Sequence, residues 1–254
     1  MTPRKSDILD LARRAGRVTV DGLAAEFGVT VQTIRRDLTE LCGAGLLART
    51  HGGAMLPSGV TNIGYEERRR LSADAKEAIG GAAAALIPPG ASLFLNIGTT
   101  TEAVARALMD TPHLMVVTNN LNVAQILAGH PSAEVVLTGG RLRRSDGGLT
   151  GDIAVETIRQ FKVDIAVVGA SALDAEGDLL DFDPGEVRVS RALIAQARAA
   201  ILVADQAKLS RAAPVRIGSL RDLDRWVTDA PPPAPLQDLC AAAGTELTIA
   251  SPAR

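Results

Sequence analysis

Cysteine, aromatic residues and long apolar runs are all scarce in this chain of 254 residues. The two cysteines, Cys42 and Cys240, lie far apart, with no CxxC pair and no histidine beside them. Neither a disulfide framework nor a cysteine-based metal site is therefore expected. Only four Phe, one Trp and one Tyr are present, which argues against a protein that stacks single-stranded bases on aromatic side chains.

No apolar run reaches the roughly 18 to 20 residues that a membrane helix requires. The N-terminal segment MTPRKSDILDL turns amphipathic at once and does not develop into a signal peptide. We therefore expect a soluble, cytoplasmic protein with no membrane partner. The sequence also gives no reason to expect a cofactor or a metal ion.

What the chain does contain is enough apolar sequence, 46% of its residues, to build a sizeable core. Its net charge of -2 is unevenly distributed, because residues 1–56 carry eight Lys or Arg against six Asp or Glu. A slightly basic N-terminal module on an acidic body indicates an anionic partner for the N-terminus alone.

The N-terminal region has the spacing of a helix-turn-helix. A first amphipathic helix is predicted to end near Gly16, and residues 18–20 (VTV) form a short strand-like piece. Asp21 is the predicted N-cap of a second helix, which ends at Gly28, and Thr30 caps the third. Two helices joined by a turn of about three residues are typical of DNA-binding modules.

The third helix, residues 31–45, is predicted to present one apolar and one polar face. At about 100° per residue the apolar side chains share a face. They are Val31, Ile34, Leu38 and Leu41. Gln32 and Arg36 lie opposite, flanked by Thr33 and Arg35. The following segment LLARTHGGAML reads as two short strands around a Gly-Gly turn, which is the pattern of a wing.

The polar face of the third helix and the wing are predicted to contact double-stranded DNA. Gln32 and Arg36 are expected to reach base edges in the major groove, while Arg35 and the hydroxyls of Thr30 and Thr33 contact phosphates. His51, at the tip of the wing, is a further candidate for the DNA backbone or the minor groove. The alternative is a winged helical module that contacts protein, with its arginines solvated.

Composition and the order of predicted helices and strands divide the chain into three parts. They are a DNA-binding domain over 1–57, a linker over 58–74 and an effector-sensing domain over 75–254. The stretch YEERRR within the linker is predicted to be charged and solvated. From Ser72 onward short β-branched strands alternate with helices of roughly ten residues. This alternation predicts an α/β domain whose parallel sheet carries helices on both faces.

Several strand ends in the second domain have glycine and hydroxyl residues that suit a phosphate. In FLNIGTTTEAV, Gly98 allows close backbone approach, and three threonines supply hydroxyls and free N–H groups. They are Thr99, Thr100 and Thr101. Other strand-end candidates are Asn119, Gly139 and Gly140, and Lys208 offers a countercharge. The structural alternative is that glycine makes the turn and threonine caps the helix.

The segment VTVQTIRRDLTELCGAGLLARTHGGA resembles the winged helix-turn-helix of the DeoR family of bacterial repressors. The resemblance extends over nearly the whole chain, through NIGTTTEAVARAL, VVTNNLNVA, GGRLRRSDGGLTG, FDPGEVRVSRALI and ADQAKLSR. It implies a homo-oligomer, dimer or tetramer, that represses operons for glycerol and glycerol phosphate use and is released by sn-glycerol 3-phosphate. Asn96 departs from the family pattern, which usually has Asp before the GTT turn.

At the level of fold, the second domain also resembles sugar-phosphate isomerases of the ribose-5-phosphate type, which is the rival hypothesis. Such an enzyme needs a carboxylate base poised over the substrate carbon. The candidates are Asp181, Asp183, Glu186 and Asp205. The segment VVGASAL, however, has no ionisable side chain before Asp174, where active relatives place an Asp-rich loop. We therefore expect a binder without turnover and assign no catalytic residue.

Overall fold

The structure is a computed structural model that describes residues 3–15, 17–44, 46–50, 52–55 and 64–251. The chain divides into two compact units, residues 1–63 and 64–254. The predicted linker over 58–74 thus includes residues that fold with the second unit, while residues 56–63 lie outside the described parts.

The first unit has the predicted order of helices and short strands. Its elements are α1 (Pro3–Ala15), β1 (Arg17–Thr19), α2 (Val20–Phe27), α3 (Val31–Gly43), β2 (Ala48–Thr50) and β3 (Gly53–Met55). The apolar stripes of the three helices meet in one core, which includes Ile8, Leu23, Ile34 and Leu38. Removing these apolar stripes from water stabilises the small unit by roughly 25 cal/mol for each Å² of apolar surface that is buried.

The turn between α2 and α3 is fixed by its caps. Gly28 ends α2 in the left-handed conformation (φ 61°), and Thr30 begins α3 by accepting a hydrogen bond from the Thr33 backbone N–H, both as predicted. The predicted cap of α2 was wrong. Thr19, not Asp21, accepts from the Gly22 N–H at 3.1 Å, so the helix begins before Asp21.

The wing is part of an antiparallel sheet of order β1-β3-β2, so the strand-like VTV segment pairs with it. Gly53, the first residue of β3, faces Thr19 of β1. A Cβ atom built on Gly53 would lie 2.0 Å from the carbonyl oxygen of Val18. The close approach of these two strands therefore requires glycine at this position.

The second unit is built on a parallel sheet, as predicted. Within the described residues seven strands run in the order β15-β14-β12-β9-β4-β5-β6, and every neighbouring pair is parallel. These strands are β4 (Ser92–Leu95), β5 (Met115–Thr118), β6 (Glu134–Leu137), β9 (Val163–Val168), β12 (Ala197–Val203), β14 (Arg225–Thr228) and β15 (Glu246–Ile249).

Helices cover both faces of this sheet. They are α5 (Ala73–Ala84), α6 (Thr99–Ala107), α7 (Leu121–Leu127), α8 (Asp152–Arg159), α9 (Pro184–Ala195) and α10 (Ala234–Ala243). Alternate side chains of β4 enter different clusters: Phe94 packs in one, while Leu93 and Leu95 pack in the other. None of the helices formed by the described residues has the length and hydropathy that a membrane crossing needs.

Several helices and strands of the second unit were not predicted from the sequence. YEERRR forms a helix, α4 (Tyr65–Arg70), so its description as a merely solvated stretch was wrong: Tyr65 and Arg68 are half-buried. Antiparallel strands also form beside the main sheet. They are β7 (Arg141–Arg143), β8 (Gly148–Thr150), β10 (Ala172–Leu173), β11 (Asp178–Asp181) and β13 (Val215–Ser219).

Candidate functional site

The outward face of α3 carries the predicted polar side chains. Gln32, Arg35 and Arg36 are exposed, and Arg36 keeps 84% of its side chain in solvent. The Nε atom of Arg36 lies 3.4 Å from Glu40, an exposed pair one helical turn away. Such a pair contributes only about 0.3 to 0.5 kcal/mol, so it leaves Arg36 available to an anionic partner.

Thr30 and Thr33 sit at the beginning of α3. Their hydroxyl oxygens are 2.9 Å apart, and the Thr30 oxygen also accepts from the Thr33 backbone N–H at 3.2 Å. Both side chains thus hold the end of the helix, whose free N–H groups and positive end suit a phosphate. His51 lies outside the described residues.

The buried face of α3 differs in two positions from the prediction. Ile34, Leu38 and Leu41 are buried as predicted, but Val31, in the first turn, is 36% exposed. Asp37 is buried instead and accepts a hydrogen bond from Arg4 Nε at 2.6 Å. Because Arg4 lies on α1, a pattern of apolar residues alone gave no signal for this ion pair.

Arg49, on β2 of the wing, is a cation that the sequence analysis missed. Its guanidinium donates to the Thr39 hydroxyl at 2.9 Å and to the Arg35 carbonyl oxygen at 3.4 Å. The exposed Arg49 side chain therefore lies against the same stretch of α3 as Arg35. The position of Arg49 in the predicted wing, shortly before the glycine turn, was the sequence signal that could have identified it as a DNA-contact candidate.

In the second unit, the turn from β4 to α6 has the geometry of an anion site. Gly98 adopts φ 143°, a value that L side chains rarely take, and α6 begins at Thr99. Thr101 donates its hydroxyl hydrogen towards the carbonyl oxygens of Asn96 and Gly98, each at 2.7 Å. The Thr99, Thr100 and Thr101 N–H groups precede the first intrahelical donor and point out of the helix.

This turn opens into a cleft, which we call the strand-end cleft. Its walls are the turn after β4 (97–101), the loop after β9 (169–171) and Val203 at the end of β12, together with polar side chains from elsewhere in the unit. The chain reverses its direction of travel across the sheet between β4 and β9. Ligands of open parallel sheets bind at such a reversal.

The strand-end cleft includes some of the predicted residues and not others. Gly98, the three threonines and Lys208 line it. Asn119, Gly139 and Gly140 do not appear in its lining. The buried Asn119 donates to the carbonyl oxygen of Leu149 at 3.2 Å, while Gly139 and Gly140 pack against Ile153 and the backbone of Thr150. A ligand role for these three residues stays a prediction.

Lys208 lies in a 3-10 helix, Gln206–Ser210, which Asp205 caps by accepting from the Ala207 N–H at 3.0 Å. Only 8% of Lys208 is exposed, and its ammonium has no hydrogen-bond partner among the residues that the structure describes. Burial, reinforced by the nearby charge of Arg211, lowers the pKa of Lys208 to about 7. A buried amine with unused donors is suited to an anionic ligand.

Two further cations surround Lys208 and were missed from the sequence. Arg68, from α4, lines the strand-end cleft and donates to Asp146 at 3.2 Å. Arg211 follows the 3-10 helix and influences the charge state of Lys208. The Nε atoms of both arginines are buried without a hydrogen-bond partner. Unmet buried donors of this kind cost about 1 to 3 kcal/mol each, which an anion would recover.

Carboxyl groups line another part of the strand-end cleft. Asp181 and Glu186 are both more than nine-tenths buried. Burial raises the pKa of Asp181, and burial together with the Asp181 charge raises the pKa of Glu186 to about 8. Asp181 also accepts from the Ser171 hydroxyl at 3.2 Å. This wall offers acceptors, and at neutral pH a protonated carboxyl, to the hydroxyl groups of a ligand.

The other two carboxylates weighed as catalytic bases have structural roles. Asp183 caps α9 by accepting from the Gly185 N–H at 2.8 Å, and Asp205 caps the 3-10 helix. Asn96, the departure from the family pattern, is buried between Ser190 and its own chain: its amide donates to the Ser190 hydroxyl at 2.8 Å, and its oxygen accepts from the Ile97 N–H. Asn96 therefore positions the β4 turn.

Two family models match the chain. Residues 4–60 match the model described as a DeoR-like helix-turn-helix domain, and residues 71–230 match the DeoR C terminal sensor domain. The first match lies within the first structural unit and the second within the second unit, which also includes residues 64–70 and 231–254.

Curated relatives align over most of their own length. The chain is 44% identical to the glycerol-3-phosphate regulon repressor of Escherichia coli K12, covering 91% of this chain and 92% of that protein. It is 45% identical to the protein of the same name from Haemophilus influenzae (89% and 88% covered) and 40% identical to the E. coli HTH-type transcriptional repressor CsqR (92% and 90%). Ribose 5-phosphate isomerase A from Methanocaldococcus jannaschii aligns structurally at 16% identity and TM-score 0.41, over 54% of this chain and 55% of that one.

Proposed function

This chain belongs to the DeoR family of transcriptional regulators, and we propose on that basis that it is a DNA-binding repressor which sn-glycerol 3-phosphate releases from operator DNA. The observation that carries the effector assignment is Lys208, which is 8% exposed and whose ammonium makes no hydrogen bond to the described residues, in the cleft that also contains the free N–H groups of α6. A phosphate dianion satisfies both.

The DNA-binding step uses the outward face of α3. Gln32 and Arg36 have the exposure and the hydrogen-bonding groups to reach base edges in a major groove, while Arg35 and the Thr30 and Thr33 hydroxyls lie at the edge of the same surface. We assign the sequence-reading role to Gln32 and Arg36 and the phosphate-contacting role to the others. Two copies of the chain, as a dimer or within a tetramer, would match two operator half-sites about one helical turn apart.

In the proposed complex, the two ends of the effector contact different walls of the strand-end cleft. The phosphate occupies the start of α6, between Thr99, Thr100 and Lys208, where N–H groups and an ammonium supply donors. The two hydroxyls of the glycerol moiety then meet Asp181, Glu186 and Ser171. A ligand with one anionic and one neutral polar end therefore fits the cleft.

Release from DNA follows from linkage. An effector that binds better to the form of the protein with low operator affinity shifts the population towards that form, with a typical coupling of about 1 to 3 kcal/mol. No turnover of the ligand is required. The relatives that cover most of this chain are repressors and not enzymes, so the isomerase-like arrangement of the second unit serves binding.

Thermal shift against a panel of phosphorylated metabolites with three to six carbons tests the effector assignment. Binding to the folded state raises the unfolding midpoint as ligand concentration exceeds the dissociation constant. We expect sn-glycerol 3-phosphate to give the largest shift, and an absence of any shift across the panel would contradict the proposal. Ketose–aldose interconversion by the purified protein would instead favour the isomerase alternative.

A further inference from the structure

Helix α4 has no buried residue, and polar side chains make the hydrogen bonds that fasten it to the second unit. At its start, Tyr65 donates to the carboxylate of Glu102 on α6, whose oxygens lie 2.9 and 3.0 Å away. Further along, Arg68 donates to Asp146, and at the end Lys76 donates to the carbonyl oxygens of Arg68 and Leu71. A segment held without buried apolar contacts belongs to the least stable parts of a fold.

The bond from Arg68 is the longest of the three that arginine side chains donate to Asp146. Asp146 already accepts two hydrogen bonds from Arg143, at 2.8 and 2.7 Å, whereas the bond from Arg68 is 3.2 Å long. The Nε atom of Arg68 is buried and has no partner. Arg68 therefore gives up little when it leaves Asp146, and it gains a partner for Nε if a phosphate takes the place of the carboxylate.

Arg68 also lies close to where the phosphate is expected. It lines the strand-end cleft together with Lys208 and the first turn of α6. Its charge is among those that lower the pKa of Lys208, so the two cations sense each other in the absence of an anion. Two cations brought together at low solvent exposure repel, and a phosphate between them would relieve that repulsion.

We propose that Arg68 exchanges Asp146 for the effector phosphate and that α4, moving with it, transmits effector occupancy towards the DNA-binding unit. This inference rests on the proposed function. Helix α4 is directly connected to the DNA-binding unit along the chain, because it begins two residues after the end of the first unit at residue 63. Any displacement of α4 changes the point from which the chain leads to the helix-turn-helix.

Tyr65 is a positioning residue in this scheme. Its hydroxyl joins α4 to Glu102, which lies in the first turn of α6, the turn that receives the phosphate. Asn122 donates to both Tyr65 and Glu102, each at 3.0 Å, and so fixes their relative placement. The start of α4 and the phosphate-binding turn are thereby held as one hydrogen-bonded assembly. Removing the Tyr65 hydroxyl leaves the cleft lining intact and removes the hydrogen bonds that join the start of α4 to the phosphate-binding turn.

The joint between α4 and α5 is compatible with such a motion. Ser72 adopts a left-handed conformation, φ 52°, between the last carbonyls of α4 and the first turn of α5. Lys76, on α5, holds those carbonyls through its ammonium. The α4 helix thus has a defined pivot at its C-terminal end.

Three variants of the full chain test the proposal: Arg68→Gln, Tyr65→Phe and Arg70→Gln as the matched control. Arg70 lies on the same helix, is exposed and does not line the strand-end cleft, so Arg70→Gln removes an equal charge without the proposed contact. Two quantities are measured for each: the dissociation constant of sn-glycerol 3-phosphate by calorimetry, and the affinity for a duplex selected from a random pool, with and without saturating sn-glycerol 3-phosphate.

We expect Arg68→Gln to weaken effector binding by roughly tenfold or more, the effect of losing one charge-assisted contact. Tyr65→Phe is expected to keep effector affinity within about threefold and to lose most of the effector-induced change in duplex affinity. Arg70→Gln is expected to behave as the unaltered protein in both.

Equal effector affinity in Arg68→Gln and Arg70→Gln would overturn the proposal, as would a full effector response in Tyr65→Phe. Either result leaves the proposed function standing, because the unaltered protein would still release DNA. A wild-type protein that binds the duplex but ignores sn-glycerol 3-phosphate would instead overturn the assigned effector and this inference together.

Discussion

The guanidinium of Arg143 donates to Glu186 Oε2 at 2.5 Å, inside the carboxyl-lined part of the strand-end cleft. The same guanidinium donates twice to Asp146 and once to Asp183 at 2.9 Å. Four of its five N–H groups are thus already in use. Arg143 organises this wall, but it has little left to offer a negatively charged ligand.

The carboxyl wall therefore predicts discrimination between two ligands of nearly equal size. sn-Glycerol 3-phosphate ends in a hydroxyl, whereas 3-phosphoglycerate ends in a carboxylate that would face Asp181 and Glu186. Above pH 8 Glu186 is ionised, since burial and the Asp181 charge raise its pKa to about 8, and like charges at low exposure then repel by several kcal/mol. We expect calorimetry at pH 9 to show at least about 100-fold weaker binding of 3-phosphoglycerate.

Glu186→Gln is expected to narrow this preference, because it removes one of the repelling groups. Glu134→Gln, at an exposed position on β6, is the matched control and should leave the preference unchanged. Equal affinity of the unaltered protein for the two ligands would show that the carboxyl wall does not face the ligand.

Binding of the effector is expected to capture a proton above pH 7. The pKa of Lys208 is lowered to about 7, so at pH 8 most of the free protein has a neutral amine. A bound phosphate stabilises the ammonium and raises this pKa again. The ligand is already a dianion at pH 8, since its second pKa is about 6, and so it does not exchange protons itself.

Calorimetry in buffers of different ionisation enthalpy measures this uptake directly. We expect Lys208 to take up close to one proton per bound ligand at pH 8 and almost none at pH 6. In Lys208→Met this uptake should be absent. Lys162, an exposed residue outside the cleft, provides the control substitution Lys162→Met. Identical uptake in Lys208→Met and the unaltered protein would remove Lys208 from the phosphate site.

Part of this site was accessible to sequence reasoning. Gly98 and the three threonines form a short local pattern, a glycine turn followed by the start of a helix, and the chemistry of such a pattern depends on neighbours in sequence. The caps at Gly28 and Thr30 were predictable for the same reason. The parallel sheet followed from the alternation of strands and helices.

What could not be predicted depends on strand order. Asn119 and Gly139 also follow strands, but β5 and β6 lie on the far side of β4 from β9 and β12, whose ends supply the other walls of the strand-end cleft. The sequence does not reveal which strands are neighbours. Arg68 was missed because it is surrounded in sequence by exposed charges, and only the fold shows that it turns inward.

The wing offers a test of the first unit. Gly53→Ala would place a Cβ atom 2.0 Å from the Val18 carbonyl oxygen, whereas Gly43→Ala meets nothing within 4 Å. We expect Gly53→Ala to destabilise the DNA-binding unit by about 2 kcal/mol or more, since backbone must move. Gly43→Ala, at the end of α3, should be neutral or stabilising by up to about 1 kcal/mol. Thermal unfolding of the two variants compares them, and similar midpoints would contradict the close β1–β3 approach.

Arg36→Ala tests the role of the outward face of α3. We expect it to weaken duplex binding by about 1 to 3 kcal/mol, or roughly 5- to 150-fold, while the response of the second unit to sn-glycerol 3-phosphate is retained. Arg159→Ala removes an exposed arginine from α8 in the other unit and serves as the control. Fluorescence anisotropy with a labelled duplex gives both affinities. If the two variants bind DNA equally well, α3 does not use Arg36 to read or grip DNA.

An anion bound at the start of α6 is proposed to weaken the binding of the helix-turn-helix to DNA. A titration of the unaltered protein against a selected duplex at fixed ionic strength, repeated at rising concentrations of sn-glycerol 3-phosphate, measures this coupling. We expect saturable binding whose dissociation constant rises by roughly 5- to 150-fold and then levels off as the effector site fills. A dissociation constant that stays the same at every effector concentration would show that the two sites are not coupled.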